Sequence, residues 1–255
     1  MLTLKKSLGQ HFLKDENISQ KIVQELRSCS FSNLLEVGPG GAALTKYLLQ
    51  IPDVNFKVVE IDDEKVAFLR SQFPLLNNKI IHGSVLTIDP PFNEPFAVIG
   101  NFPYNISTEI LFKILEWRDY VECMVGMFQK EVALRIAAKE GSKIYGVTSV
   151  LVQAYFDVFY LFDVDENSFT PPPKVKSGVI KLLPKKDKPS LKSDKAFSLL
   201  VKTAFQQRRK TLRNACRGLF SPETLKKQIF DKRAEQLSVN DFALLSFELQ
   251  DGKNQ

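Results

Sequence analysis

Over its first 160 residues the chain alternates short apolar runs with segments of helical periodicity, and few folds accept that pattern. LLEVG (34–38), FKVVEID (56–62), KIIHGS (79–84), FAVIGN (96–101) and VECMVGMF (121–128) read as strands. Between them ALTKYLL (43–49), EKVAFLRSQF (64–73) and STEILFKILEW (107–117) read as helices. QKEVALRIAAK (129–139) and VTSVLVQAY (147–155) continue the helical pattern, and Asp15 is placed to cap a first helix through about residue 28. Strands separated by helices of this length pair in parallel, with the helices as crossovers. The expected fold is α/β, a Rossmann-like, doubly wound and mostly parallel sheet. FDVFYLFDV (156–164) and SGVIKLL (177–183) follow without long helices and are expected as late antiparallel strands.

The pattern changes at LPKKDKPSLKSD (183–194), which is charged, proline-containing and poor in apolar residues. It reads as a linker. Beyond it only helical patterns appear, at 195–205, 210–220, 222–230 and 239–250, with Ser221-Pro222-Glu223 and Ser238-Val239-Asn240-Asp241 as helix starts. The sequence thus predicts a catalytic domain over residues 1–184 and a small all-α domain of four helices over 185–255. Charge follows a similar division. Residues 1–169 carry 16 Lys and Arg against 21 Asp and Glu, a balance of −5, whereas residues 170–255 carry 19 against 8, a balance of +11. Segregated positive charge, clustered in QQRRKTLRNACR, points to a polyanionic partner such as nucleic acid for the C-terminal part.

No run of 18 apolar residues occurs, and the first 17 residues lack an apolar signal-peptide core, so a cytoplasmic protein without a membrane span is expected. Three isolated cysteines (Cys29, Cys123, Cys216), two histidines and no C-x-x-C predict buried thiols, with neither a metal site nor a disulfide framework.

Ligands of a doubly wound sheet bind outside the carboxyl ends of its strands, and four of those ends are polar. The first strand runs into EVGPGG, where Gly38 and Gly40 permit a sharp turn and close approach to a ligand. Glu36 just before the turn repels a pyrophosphate but suits a cationic amine or sulfonium. The second strand ends in Glu60, about 20 residues past the glycines, where a carboxylate can hold two ribose hydroxyls; Ile61 follows to lie against an adenine. The third ends in His82-Gly83-Ser84-Val85, with polar atoms for an adenine edge. Together these describe a site for an adenosine-type ligand.

The fourth strand ends in Asn101-Phe102-Pro103-Tyr104, with Ser107 and Thr108 placed to cap the next helix. An exocyclic amine on a nucleobase is a poor nucleophile because its lone pair is delocalised into the ring. Two acceptors on its N–H bonds, the Asn101 side-chain oxygen and the Phe102 carbonyl, bias the nitrogen toward tetrahedral geometry. Pro103 fixes the turn and Tyr104 offers a face for the base. Catalysis by orientation and matched acceptors needs no dedicated general base.

GQHFL (9–13), EVGPG (36–40), VVEID (58–62), NFPYNIS (101–107), FQKEVALRI (128–136), SFTPPPKVKSGV (168–179) and FQQRRKTLRN (205–214) occur in this order. Together they resemble the ribosomal RNA adenine dimethyltransferases over almost the whole chain, most nearly the bacterial small-subunit type. The resemblance implies a class I methyltransferase fold with S-adenosylmethionine as methyl donor and no metal. It implies methylation at N6 of two adjacent adenines in a hairpin loop near the 3′ end of 16S rRNA, within a 30S subunit or its precursor, by a monomer. It places His11, Leu13, Gly38 and Asn101 against the donor, with Glu60 on the ribose, and makes Phe169 a stacking partner opposite Tyr104. Arg208, Arg209, Lys210 and Arg213 become phosphate contacts. The chain departs from the family at His11, commonly Asn; at Ser84, commonly Asp; and at Phe102, commonly Leu. A large-subunit rRNA adenine methyltransferase and a non-catalytic assembly factor on the same scaffold remain alternatives at this level.

Overall fold

The computed structural model describes residues 11–250; Gly9 and Gln10 of the GQHFL motif lie outside them. The chain begins with β1 (Phe12–Leu13) and α1 (Glu16–Arg27). Asp15 caps α1 as the sequence predicts, its Oδ1 accepting from the backbone N–H of Asn17 at 3.0 Å and of Ile18 at 3.2 Å. The helix buries Ser19, Ile22, Val23 and Leu26, one face at helical spacing. The alternation then plays out as β2 (Asn33–Val37), α2 (Thr45–Leu48), β3 (Asn55–Glu60), α3 (Asp63–Gln72), β4 (Ile80–His82), β5 (Phe96–Asn101), α4 (Ser107–Glu116) and β6 (Val121–Gln129). After α5 (Lys130–Ala137) and α6 (Val147–Gln153) come β7 (Phe156–Val164), β8 (Phe169–Thr170) and β9 (Ser177–Pro184).

Seven strands form one sheet in the order β4-β3-β2-β5-β6-β9-β7, and β1 pairs with β8 in a separate two-stranded sheet. The first five are parallel and β9 runs antiparallel to β6, as the late-strand expectation has it. Parallel strands covered on both faces must be apolar throughout, and Phe96, Ala97, Val98 and Ile99 of β5 are all fully buried. The β1–β8 pair carried no sequence signal, because two residues are too few to show a period.

Compact units divide the chain as residues 1–133 with 159–184, and residues 134–158 with 185–255. Residues 134–158, which the sequence reading grouped with the N-terminal domain, therefore cluster with the second unit. That unit contains α7 (Asp194–Gln206), α8 (Leu212–Ala215) and α9 (Val239–Ser246). The four expected helices are only partly realised: 222–236 forms single 3₁₀ turns at Thr224–Lys226, Gln228–Asp231 and Ala234–Gln236, and 210–220 keeps one short helix. Apolar spacing at i, i+3 does not distinguish a continued helix from isolated turns packed by their apolar residues. Here the backbone bonds outward, with Leu212 N donating to the Lys232 carbonyl at 2.8 Å.

Two further expectations are corrected. Cys29 and Cys123, 94 residues apart, are paired as a disulfide, and only Cys216 is a free buried thiol. Nothing in their spacing marks the pair; the fold brings together the end of α1 and strand β6. Ser107 and Thr108 do not cap α4 through their side chains. The Ser107 hydroxyl instead donates to the Tyr104 carbonyl at 3.2 Å, tightening the turn that carries the motif.

Phe102 shapes the sheet beneath this turn. Its ring is buried, T-shaped to Phe128 at 5.1 Å, and lies over Gly100 and Gly126, which are register partners on β5 and β6. A Cβ on Gly126 meets the Phe102 ring at 2.4 Å and the Met124 sulfur at 2.9 Å. Gly126→Ala is expected to cost about 1–3 kcal/mol by overpacking, read as a lower denaturation midpoint. Phe102→Leu in the same chain should recover part of that loss, and two additive losses would refute the contact as the cause.

Candidate active site

The strand order reverses between β2 and β5, so crossovers leave in opposite directions and a crevice opens at their carboxyl ends. A cavity of roughly 520 Å³ lies there, within the first unit and within the size range of small-molecule sites. Its lining includes all thirteen residues that the sequence assigned to donor binding or catalysis: His11, Leu13, Glu36, Gly38, Gly40, Glu60, Ile61, Ser84, Val85, Asn101, Phe102, Pro103 and Tyr104. Residues 34–110 contribute through four strand ends; His11 and Leu13 arrive through β1, which is held by β8.

The turn after β2 takes the left-handed conformation at Gly38 (φ 67°), Gly40 (φ 52°) and Ala42 (φ 63°). Glycine suits the first two because an added Cβ is strained in that region, and at Gly40 it also approaches the Phe12 ring to 3.2 Å. The turn brings the Gly40 N–H to 3.2 Å from Glu60 Oε2. Glu60 Oε1 accepts from the N–H groups of Ile61 at 2.9 Å and Asp62 at 3.0 Å. The carboxylate is thus held at the end of β3, while Ile61 remains 55% exposed at the cavity rim, an apolar face left open for a planar ring.

Glu36 lies deeper. It is 2% exposed, and its Oε2 accepts from the Thr45 hydroxyl at 2.7 Å. Burial pushes its carboxyl up to about 8, against the Thr45 hydrogen bond and with added repulsion from Glu60. The sequence reading took Glu36 as an anion. In the structure its burial favours the neutral acid. Thr45, nine residues on, gave no separate signal.

Asn101 Nδ2 donates to the His11 carbonyl at 3.1 Å, which engages the amide's donor end and leaves Oδ1 as its acceptor. The Phe102 N–H donates to the Met127 carbonyl at 3.2 Å, while no N–H among the described residues donates to the Phe102 carbonyl. Tyr104 is half-buried, with its Oη 2.5 Å from Ser177 Oγ and its ring centroid 5.5 Å from that of His11, inclined at 30°. Burial raises the Tyr104 phenol above its ordinary value, partly opposed by the Ser177 hydrogen bond. His11 Nδ1 lies 2.9 Å from the Pro171 carbonyl, so the ring donates there. The residue that stands where Asn is common therefore supports both Asn101 and Tyr104. Ser84 Oγ accepts from Leu86 N–H at 3.2 Å, closing a tight turn at the cavity wall.

Other predicted residues are placed differently. Phe169 pairs with Leu13 and is 1% exposed in the core, so it presents no stacking face to the cavity. In the second unit, Arg213 pairs with Asp231 at 2.8 Å and its Nε donates to the Leu225 carbonyl at 3.0 Å. The Arg208 guanidinium donates to the Lys143 carbonyl. Arg209 and Lys210 are exposed. Among the described residues no group of three or more His, Cys, Asp and Glu is placed to hold a metal, and no helix is long and apolar enough to cross a membrane.

Comparison with known proteins agrees with this geometry. The family model described as ribosomal RNA adenine dimethylase matches residues 1–251. The chain is 53% identical over 246 residues to ribosomal RNA small subunit methyltransferase A of Flavobacterium johnsoniae, covering 95% of this chain and 94% of that one. It is 53% identical over 243 residues to the protein of the same name from Cytophaga hutchinsonii, covering 93% and 94%. Among solved structures it is similar to a dimethyladenosine transferase from Plasmodium falciparum, with TM-score 0.76 and 28% identity over 93% of this chain and 97% of that one. The 23S rRNA methyltransferase ErmE superposes with TM-score 0.69 at 23% identity, covering 93% and 99%, a likeness of fold.

Proposed function

The chain belongs to the ribosomal RNA adenine dimethylase family, and from that premise we propose that its cavity binds S-adenosylmethionine and presents it to the N6 amines of two adjacent adenines in 16S rRNA. The observation that carries this reading is the pairing of two half-sites at one switch point: an adenosine-type site at Gly38–Gly40 and Glu60, and an amine grip at Asn101–Tyr104. S-adenosylmethionine, when bound, supplies an electrophilic methyl group.

The residues divide the work. Glu60 at the end of β3 is placed for the ribose hydroxyls, Ile61 for the adenine face, and Ser84 and Val85 for the adenine edge. The buried Glu36 offers a countercharge to the cationic part of the ligand. Asn101 Oδ1 and the Phe102 carbonyl accept the two N–H bonds of the target amine, favouring the pyramidal nitrogen whose lone pair can attack. Tyr104 stacks the base, which must leave its stack in the loop to reach the site. Orientation and fixed acceptors supply the catalysis.

The second unit supplies positive charge for the RNA backbone. With Arg213 and Arg208 bonded within the unit, Arg209 and Lys210 are the better candidates for phosphate contacts. Phosphate contacts position without reading sequence, so the loop is selected by shape and by the splayed bases. We place the reaction in the cytoplasm, by a monomer acting on a 30S subunit or its precursor. The curated relatives' shared small-subunit name favours this over a large-subunit substrate.

Incubation with unmethylated small subunits and labelled donor should place the label on two adjacent adenines of the small-subunit RNA. Label confined to large-subunit RNA overturns the assignment. Reversing the charge at Arg209 and Lys210 should weaken subunit binding about tenfold and reduce the salt slope by about one for each phosphate no longer neutralised, with donor affinity unchanged. An unaltered salt slope removes these residues from the RNA interface.

A further inference from the structure

The proposed chemistry contains an asymmetry that the Asn101 grip cannot resolve. In each transfer the N6 nitrogen gains one carbon from the donor's sulfonium, whose sulfur keeps the bonding pair, and gives one proton to water. The amine therefore presents two N–H bonds to the first transfer and one to the second. Asn101 Oδ1 and the Phe102 carbonyl can both be engaged only in the first. For the second, the base's orientation falls more heavily on whatever holds its plane.

The plane is held by Tyr104, and Tyr104 is itself braced. Its hydroxyl lies 2.5 Å from Ser177 Oγ, and Ser177 is fully buried. Ser177 is the first residue of β9, in register with Gln129 of β6, and the neighbouring Lys130 N–H donates to the Lys176 carbonyl at 2.9 Å. The serine is thus fixed by sheet hydrogen bonds on the strand beside it. Against the ring stands His11, anchored to the Pro171 carbonyl. A phenol tethered at its tip to a sheet strand can neither tilt nor slide without breaking that bond.

Resting on the function proposed above, we infer that Ser177 is a positioning residue which, by fixing the Tyr104 ring, governs how efficiently the second methyl group is added. It touches neither donor nor base. Loss of one such hydrogen bond, about 1 kcal/mol, corresponds to roughly fivefold in rate.

The test is a time course on unmethylated small subunits with S-adenosylmethionine, quantifying N6-monomethyl- and N6,N6-dimethyladenosine by mass spectrometry of nucleosides. Ser177→Ala should slow the second transfer about fivefold while the first stays within about twofold, so that monomethyladenosine accumulates. Tyr104→Phe removes the same bond from the other side and should give the same product ratio, and the double variant should be no worse than either single. Donor affinity, followed by calorimetry, should be unchanged in Ser177→Ala. Equal slowing of both transfers, an unchanged product ratio, or additive effects in the double variant overturn the inference. If the unaltered enzyme makes no dimethyladenosine, the underlying assignment falls and this inference with it.

Discussion

Asn101→Ala should lower methyl transfer by roughly 100- to 1,000-fold, the usual loss when a fixed polar partner of the developing charge is removed. The structure narrows the reason. The amide's donor end is bonded to the His11 carbonyl at 3.1 Å, so the oxygen is the end left to accept from an amine. Alanine deletes that acceptor without disturbing β5, whose buried residues stop at Gly100. Subunit binding should survive, because the proposed phosphate contacts lie on basic residues of the second unit and not on Asn101. Asn101→Asp is a sharper probe. It keeps an acceptor but sets a carboxylate against the His11 carbonyl, and should fall between alanine and the unaltered enzyme in single-turnover rate. Dimethylation retained by Asn101→Ala would remove this residue from the mechanism.

The second large effect is expected in pH dependence, and it originates at Glu36. In the folded protein burial raises this carboxyl from 4.5 to about 8. Between those values the folded state holds a proton that the unfolded chain has lost, so the native state binds more protons. Stability of the ligand-free protein therefore falls as pH rises from about 4.5 through 8, by a contribution on the order of a few kcal/mol, and levels above. A cationic ligand beside Glu36 favours the ionised form, so binding expels the proton. Affinity for S-adenosylmethionine should then rise by up to roughly tenfold per pH unit between pH 6 and 8, and flatten above. Glu36→Gln should remove both dependences, leaving a weaker and pH-independent affinity. Calorimetry in buffers of different ionisation enthalpy would register proton release with the unaltered protein only. Equal pH slopes for the two proteins would show that a group other than Glu36 carries the linkage.

Much of the site was readable in advance because it is local to strand ends. Gly38, Glu60, Ser84 and Asn101 each terminate or follow an apolar run, and a parallel sheet gathers such ends on one edge. Their convergence in one cavity follows from topology, not from side-chain detail. The readings that the structure alters are those that depend on distant partners. Phe169 is an aromatic in a distinctive motif, yet its strand pairs with β1 and turns the ring into the core. Arg213 lies in a basic run, yet Asp231 and the Leu225 carbonyl claim it. Cys29 and Cys123 meet across 94 residues. The 3₁₀ turns of the second unit escaped notice because apolar spacing reports burial, and the hydrogen bonds that end a helix early are tertiary.

The amino-acid sequence alone determined the doubly wound sheet, the edge at which a ligand must lie and the residue types waiting there, because strand and helix periods and glycine turns are local properties. Tertiary structure alone decided which groups are free to act. It set the His11 carbonyl against the Asn101 amide, buried Glu36 so that its carboxyl is pushed toward the neutral form, and tied Tyr104 to Ser177. Each of these depends on a partner supplied by another part of the fold, and hydrogen-bond occupancy and desolvation exist only once those parts are packed together.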